Sequence, residues 1–295
     1  MTKTAYRLKG HESFVPREGW ITKGLYALNN DPSIFSRNYG ADELGVGTNM
    51  AKSIRYWLRA MGLTEDIPRI GTKLTTLGNL IFENDSYLEN TFTLWILHAN
   101  LARNFALATS WNIFFNSFDL HMWKREEMIS IMSEYIIEKT GDLSPSERSI
   151  RDDCSAILSM YTMNDSLIVD PEETISSPFN SLGLIRKTGQ TFERMTKSFQ
   201  EIEMYPVLFV IADTLNEDKY LNIDEIVNGD NMPGKLFSLN RIHVNNALDA
   251  LEAAGHITVN RTAGLDVVYP KSGITSEQAV LEFYSHNSTD GEYII

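Results

Sequence analysis

The sequence has few cysteines, no long apolar runs and no excess of positive charge, and each shortage excludes a class of protein. Its 295 residues include a single cysteine, Cys154, which excludes an intramolecular disulfide and a cysteine-rich zinc site. No apolar run approaches the roughly 18 residues that a transmembrane helix needs. The first ten residues contain no apolar signal-peptide core, so we expect a cytoplasmic protein without a membrane partner.

The net charge of −13, taken alone, argues against a protein that binds nucleic acid. The charge is nevertheless unevenly distributed. Residues 1–73 hold 11 lysines and arginines against 7 aspartates and glutamates, whereas the remaining residues hold 15 against 32. This distribution fits a protein that contacts DNA near its N-terminus and contacts other proteins elsewhere. It fits equally an acidic protein whose first domain is neutral to basic.

A glycine turn followed by an amphipathic helix occupies residues 45–63. Thr48 is suited to cap this helix, because its hydroxyl can accept a bond from an early backbone N–H, and Gly62 is suited to end it. One face of the helix is apolar. Another face carries three cations at helical spacing, namely Lys52, Arg55 and Arg59. These cations predict a DNA-binding face, although a solvated helix face is the plainer interpretation.

The segments on either side complete the outline of a helix-turn-helix. A short helix at 42–44 precedes the glycine turn, and a strand-like stretch at 72–76 follows the helix. This stretch predicts the wing of a winged helix. We expect its lysine, Lys73, to meet the phosphate backbone of DNA.

A loop ahead of the first predicted helix concentrates ionisable side chains. Loops held on a rigid scaffold often carry catalytic chemistry. Three residues are candidates for an acid, a base or metal ligands: His11, Glu12 and Glu18. Arg17 and Lys23 are candidates for binding DNA phosphates. In the alternative interpretation, His11 and Glu12 brace the first helix and have no catalytic role.

Three further residue types have structural interpretations. His98 lies in an apolar helix and is expected to be a core histidine. Asp152 and Asp153 could bind a metal, but a solvated helix face explains them better. Cys154 falls on the inward stripe of the same helix, so we expect a buried, unreactive thiol.

The whole pattern predicts a mainly α fold with small β wings, built from several helix-turn-helix or winged-helix units. We divide the chain into an N-terminal domain at 1–120, a second helical region with an irregular link at 121–198, and a winged helix at 199–295. In the last domain Ser238 is expected to cap the main helix, and a hairpin turns near 262–264.

Five ordered motifs in the first third of the chain carry a family resemblance. They are G-H-E-S-F at 10–14, P-R-E-G-W at 16–20, K-G at 23–24, L-G-V-G-T-N-M-A-K-S-I-R-Y-W at 44–57 and W-I-L-H at 95–98. On these residues the chain resembles the SspB-like family, the DNA-nicking components of bacterial DNA phosphorothioation systems. That pattern leads us to expect threonine at position 13, and the serine found there keeps the hydroxyl.

The resemblance implies a DNA nickase that acts beside a cysteine desulfurase, an ATPase and an ATP pyrophosphatase-type sulfur transferase. Such a system marks host DNA with sulfur and supports defence against phage. Phosphodiester hydrolysis usually uses a divalent ion, so Mg²⁺ or Mn²⁺ is the expected cofactor. Two alternatives stay open: a non-catalytic DNA-binding adaptor, and a scaffold that binds the sulfur-transfer proteins. The sequence also leaves open whether the protein forms a homo-oligomer.

Overall fold

The computed structural model describes residues 5–163, 177–271 and 273–290. The chain divides into two compact units, Met1–Met195 and Thr196–Ile295, and each unit buries its own set of apolar side chains. The predicted mainly α fold with small β elements is confirmed. No helix within the described ranges combines the length and the hydropathy that a membrane span requires.

Helices form most of the first unit. They are α1 (Trp20–Asn30), α2 (Ala41–Leu44), α3 (Thr48–Ala60), α4 (Thr76–Asp85), α5 (Thr91–Arg103), α6 (Thr109–Asn116), α7 (Arg125–Thr140) and α8 (Glu147–Tyr161). Short 3-10 turns lie at Ile34–Ser36, Asn38–Gly40 and Pro178–Leu182.

Two small antiparallel sheets belong to the same unit. Strands β1 (Thr64–Ile67) and β2 (Gly71–Leu74) form a hairpin directly after α3. The second sheet contains β3 (Met122–Lys124), β4 (Ile185–Thr188) and β5 (Thr191–Arg194), in the order β3-β5-β4. The prediction of an irregular link is therefore wrong for residues 185–194. Pairing across the sheet sets the buried Phe192 opposite the buried Trp123, a long-range contact that local sequence does not reveal.

The core of the first unit is aromatic. Its largest fully buried side chains include four tryptophans, Trp57, Trp95, Trp111 and Trp123. His98 is also fully buried, and its Nδ1 lies 2.9 Å from the Tyr161 hydroxyl, which confirms the predicted core histidine. Cys154 is buried as well. Burial raises the pKa of its thiol, so the group stays protonated and unreactive.

The second unit combines short helices with one three-stranded sheet. Its helices are α9 (Phe199–Ile202), α10 (Tyr205–Asp218), α11 (Ile223–Asn228), α12 (Pro233–Leu236), α13 (Arg241–Ala253) and α14 (Ser276–Asp290). Its strands are β6 (Leu221–Asn222), β7 (Ile257–Asn260) and β8 (Val267–Pro270), in the order β6-β8-β7. The predicted hairpin is confirmed, with a 3-10 turn at Thr262–Gly264.

Two predicted helix caps are wrong. Gly47, not Thr48, precedes α3, and the Thr48 hydroxyl instead donates to Asn38 Oδ1 at 3.0 Å. Helix α13 is capped by Asn240, whose side chain accepts a bond from the His243 backbone N–H, and not by Ser238. The helix-turn-helix assignment and the three-domain division at 1–120, 121–198 and 199–295 stay predictions.

Candidate functional site

A basic cleft of about 200 Å³ opens beside α3. Its lining residues are Arg7, Gly10, Glu12, Tyr39, Lys52, Arg55, Tyr56, Arg59 and Leu107. Three of its four cations lie on α3 at positions i, i+3 and i+7, so one helix face presents them together. The structure thus brings together Glu12 and the three predicted α3 cations in a single concave surface.

Two of these cations share one carboxylate from the following hairpin. Asp66 accepts from Arg55 Nη2 at 3.0 Å and lies 3.0 Å from Arg59 Nη1. Partial burial raises the pKa of the Asp66 carboxyl. The hydrogen bonds from Thr72 and Arg55, with the charges of Arg55 and Arg59, outweigh that effect and hold the pKa below its usual value. Asp66 is therefore ionised at neutral pH and orients both guanidinium groups.

The other two cations lie against aromatic rings. Lys52 Nζ is 5.1 Å from the centre of the Tyr39 ring, and the Arg7 guanidinium is 5.3 Å from the centre of the Tyr56 ring. Neither cation forms an ion pair with a carboxylate in the described part of the chain. The buried Arg55 Nε also has no hydrogen-bond partner among the described residues. The cleft is therefore lined by four cations and one carboxylate, Glu12, while Asp66 pairs with Arg55 and Arg59 from the hairpin, so the cleft has donor capacity for an anion.

The loop at 9–13 delivers Glu12 to the cleft in a strained conformation. Lys9, Glu12 and Ser13 have φ values of 54°, 50° and 65°, in the left-handed region that side chains other than glycine seldom adopt. Each such residue costs about 1–3 kcal/mol unless the surrounding structure holds it in place. Helix α8 does so, because Asp152 lies 2.6 Å from Lys9 Nζ and Asp153 accepts from the Lys9 backbone N–H at 2.9 Å.

His11 is the buried anchor of this loop. It is fully buried, and its Nε2 lies 2.9 Å from Asp153 Oδ1. Asp153 also accepts from Ser110 Oγ at 2.6 Å. The imidazole stacks on Trp57 at 5.8 Å between ring centres and meets the edge of Trp111 at 5.5 Å. Since this ring does not reach solvent, its geometry supports the bracing role, and a catalytic role for His11 stays a prediction.

At Gly10 this loop packs closely against α3. A Cβ atom added there would lie 2.3 Å from Tyr56 Cε2 and 2.8 Å from Arg7 Nε. The Tyr56 ring is buried and its hydroxyl donates to the Leu107 carbonyl at 3.0 Å, so it has little freedom to move aside. Any larger residue at Gly10 would therefore deform the cleft wall.

The remaining predicted site residues do not line the cleft. Arg17 packs on Phe14 and Trp20, with its guanidinium 5.2 Å from the Trp20 ring centre. Glu18 and Lys23 are exposed near the start of α1. Lys73 is exposed on β2, directly opposite Glu65 in the hairpin register. A role for these residues in catalysis or DNA binding stays a prediction.

Sequence reasoning missed three residues that shape this region. Asp153 was expected on a solvated face, but it is 1% exposed, so that interpretation is wrong. Its spacing from Ile150 and Ile157 (i+3 and i−4) would have placed it on the buried stripe of α8. No local sequence signal singles out Arg7 or Tyr39, and the backbone of Tyr39 is left-handed.

The fold and the geometry define a mainly α protein of two units, with a basic cleft in the first unit. The chain belongs to the family described as Protein of unknown function (DUF4007), whose model matches residues 8–284. Its fold is similar to two solved structures at 22% identity each. For "SspB crystal structure" the TM-score is 0.83, with 98% of this chain and 89% of that chain covered. For "Magnesium ion-bound SspB crystal structure" it is 0.84, with 99% and 92% covered. The sequence matches no curated protein.

The cleft itself is a poor match for a magnesium ion. Magnesium prefers oxygen ligands and usually takes one or two carboxylates together with substrate phosphates. Here Glu12 shares the cleft with four cations, whose charge disfavours a divalent ion. Across residues 5–163, 177–271 and 273–290, no group of three or more histidine, cysteine, aspartate or glutamate side chains could hold a metal. We therefore derive no chemical step through a metal.

Proposed function

We propose that this protein binds DNA and nicks it within a DNA phosphorothioation system, with the basic cleft as the grip on a backbone phosphate. One observation carries the proposal: four cations converge on one concave surface, and neither Lys52 nor Arg7 has a carboxylate partner in the described chain. Phosphate contacts by lysine and arginine dominate the affinity of proteins for DNA. The fold shared with SspB structures and the N-terminal motifs support the choice of pathway.

The chemistry of nicking assigns a role to each side of the cleft. A water oxygen forms a bond to phosphorus while the bond to one bridging strand oxygen breaks, and the departing oxygen takes a proton from solvent. Glu12, which lines the cleft, accepts the proton that the attacking water loses. Arg55 and Arg59, held by Asp66, face the negative charge that builds up on the phosphoryl oxygens. The strained loop at 9–13 holds Glu12 in place for this step.

A non-catalytic adaptor is the second candidate. The burial of His11 favours it, because the only other predicted catalytic groups are Glu12 and Glu18, and Glu18 does not line the cleft. In this case the cleft binds DNA and presents it to sulfur-transfer proteins, for which the resemblance suggests a cysteine desulfurase, an ATPase and an ATP pyrophosphatase-type enzyme. The adaptor predicts salt-sensitive DNA binding without strand cleavage.

A supercoiled-plasmid assay tests the proposal, run with and without Mg²⁺ or Mn²⁺. We expect the wild-type protein to produce open circles, and the triple variant Lys52→Ala/Arg55→Ala/Arg59→Ala to lose both cleavage and binding. A matched control removes three exposed lysines outside the cleft, Lys187→Ala/Lys219→Ala/Lys271→Ala, and should behave as wild type.

Variant Glu12→Gln separates the two candidates. A nickase that uses this carboxylate should still shift DNA but stop forming open circles. Binding without cleavage by the wild-type protein under every condition would leave only the adaptor. If the control triple lost binding as severely as the cleft triple, the cleft would not be the DNA-binding surface.

A further inference from the structure

The two tyrosines of the basic cleft differ in what covers their rings. Tyr56 is 5% exposed, donates to the Leu107 carbonyl and is covered by Arg7, so it forms part of the floor. Tyr39 is 40% exposed at the wall of the cleft. Lys52 Nζ lies 5.1 Å from the centre of its ring, yet the residue stays exposed to solvent. Binding a phosphate requires the cations of the cleft but not an exposed aromatic ring beside them, so Tyr39 points to a further contact.

Tyr39 is also held in place at a conformational cost. Asn38 and Tyr39 have φ values of 43° and 55°, so two consecutive side chains adopt the left-handed region. Helix α3 stabilises this arrangement, because Thr48 donates to Asn38 Oδ1 at 3.0 Å and Lys52 contacts the Tyr39 ring. Strained backbone that its surroundings hold in place is concentrated at functional sites.

A fixed aromatic face next to lysine and arginine is how proteins bind unpaired nucleotides, since bases stack on the ring while the cations follow the backbone. The volume of about 200 Å³ is below the roughly 300–1,000 Å³ of pockets for drug-sized ligands. The cleft is therefore too small for a length of strand, and at most one nucleotide of a strand enters it.

We infer that the basic cleft takes a single unpaired nucleotide of a DNA strand, with its phosphate on the α3 cations and its base stacked on Tyr39. This inference rests on the proposed function and names the substrate of that same site. The strand enters the cleft unpaired, either from single-stranded DNA or by extrusion of one nucleotide from a duplex.

The test is a two-by-two comparison of protein and ligand. Wild-type protein and the Tyr39→Ala variant are each titrated with a fluorescent ten-nucleotide thymidine strand and with the matching abasic strand, which keeps the phosphates and sugars. Stacking on one base predicts that Tyr39→Ala weakens thymidine-strand binding by about 5- to 150-fold. The abasic strand should lose far less, because it has no base to stack.

Two further variants guard the interpretation. Tyr39→Phe keeps the ring and should bind both strands nearly as wild type does. Lys52→Glu removes a phosphate contact and should weaken both strands by a similar factor. Equal losses for Tyr39→Ala on the two strands, or no loss on either, would overturn the inference while leaving the DNA grip intact. Failure of the wild-type protein to bind any strand or duplex would remove the proposed function and the inference together.

Discussion

Helices α3 and α13 each contain 13 residues, and each is followed by an antiparallel hairpin, β1–β2 after the first and β7–β8 after the second. Sequence patterns favour the same role for both, as the recognition helix of a winged helix. Their charges differ. Helix α3 has three cations and no carboxylate, whereas α13 has one arginine, an aspartate and a glutamate.

The cations around α13 are occupied by carboxylates. Arg241 pairs with Asp224 and with Asp266, the latter at 2.8 Å. Arg261, which follows β7, lies 2.7 Å from Asp249 on the helix. In the basic cleft, by contrast, Lys52 and Arg7 contact aromatic rings. Two of the four cleft cations thus have no carboxylate partner among the described residues, whereas both arginines beside α13 are paired. We expect this pairing to decide which cations a phosphate can reach.

Asp153 in the first unit is buried whereas Asp249 in the second is exposed, and this difference gives the largest expected effect. Asp153→Ala removes the partner of His11, Ser110 and the Lys9 backbone N–H, all at a fully buried position. Each buried group left without its hydrogen-bond partner costs about 1–3 kcal/mol of unfolding free energy. Asp249→Ala breaks an exposed pair and should cost less than about 1 kcal/mol.

Urea denaturation checks this prediction. All five tryptophans lie in the first unit, so their fluorescence reports the unfolding of that unit alone, and circular dichroism reports both. Asp152→Ala is the matched control in α8, because its carboxylate is only partly buried. A fluorescence transition that shifts no more for Asp153→Ala than for Asp152→Ala would mean that the buried cluster does not hold the loop.

Charge reversal gives the next effect and compares the two helices directly. Lys52→Glu should weaken DNA binding by about tenfold or more and lower the slope of log K against log salt by at least about one. Arg261→Glu should change binding by less than about twofold, because its charge already faces Asp249. Fluorescence anisotropy at several salt concentrations measures both. Equal losses of DNA affinity in the two variants would show that α3 and α13 do not differ in their contribution to binding.

Local patterns predicted the parts of this molecule that depend on nearby residues. The spacing of Lys52, Arg55 and Arg59 gave the common face on α3, and the turn at Thr262–Gly264 gave the second hairpin. Helix caps were less predictable. Thr48 has the right chemistry for a cap, but a tertiary bond to Asn38 takes its hydroxyl.

The sequence predicted the α3 cations and Glu12 of the candidate site but not the contacts that hold them, because those contacts join residues far apart in the chain. The contact between His11 and Asp153 spans 142 positions, and Tyr56 meets Leu107 across 51. Periodicity reports which face of a helix is buried and not which partner that face meets. The position of the Tyr39 ring depends on a left-handed backbone at residues 38 and 39, and an asparagine followed by a tyrosine does not predict that conformation.

The smallest expected effect concerns Asp66, the hairpin carboxylate that pairs with two cations of α3. Asp66→Asn removes the charge that pairs with Arg55 and Arg59, at a position about one third exposed. The loss of stability should stay below about 1 kcal/mol at neutral pH. Because the folded-state pKa of Asp66 is lowered, its contribution is complete above about pH 4 and is lost as the pH falls through that lowered value, so the two proteins should converge in acid.

The same variant sharpens the comparison between the helices, since it frees both guanidinium groups for phosphate. If pairing with a carboxylate limits how strongly a cation binds phosphate, DNA affinity should rise by about two- to fivefold in Asp66→Asn. Asp249→Asn frees Arg261 beside α13 in the same way, but the other carboxylates of that unit remain, so we expect little gain. Anisotropy titrations of both variants measure this. A loss of affinity in Asp66→Asn would show that the carboxylate serves the cleft by aiming Arg55 and Arg59, and that orientation outweighs neutralisation.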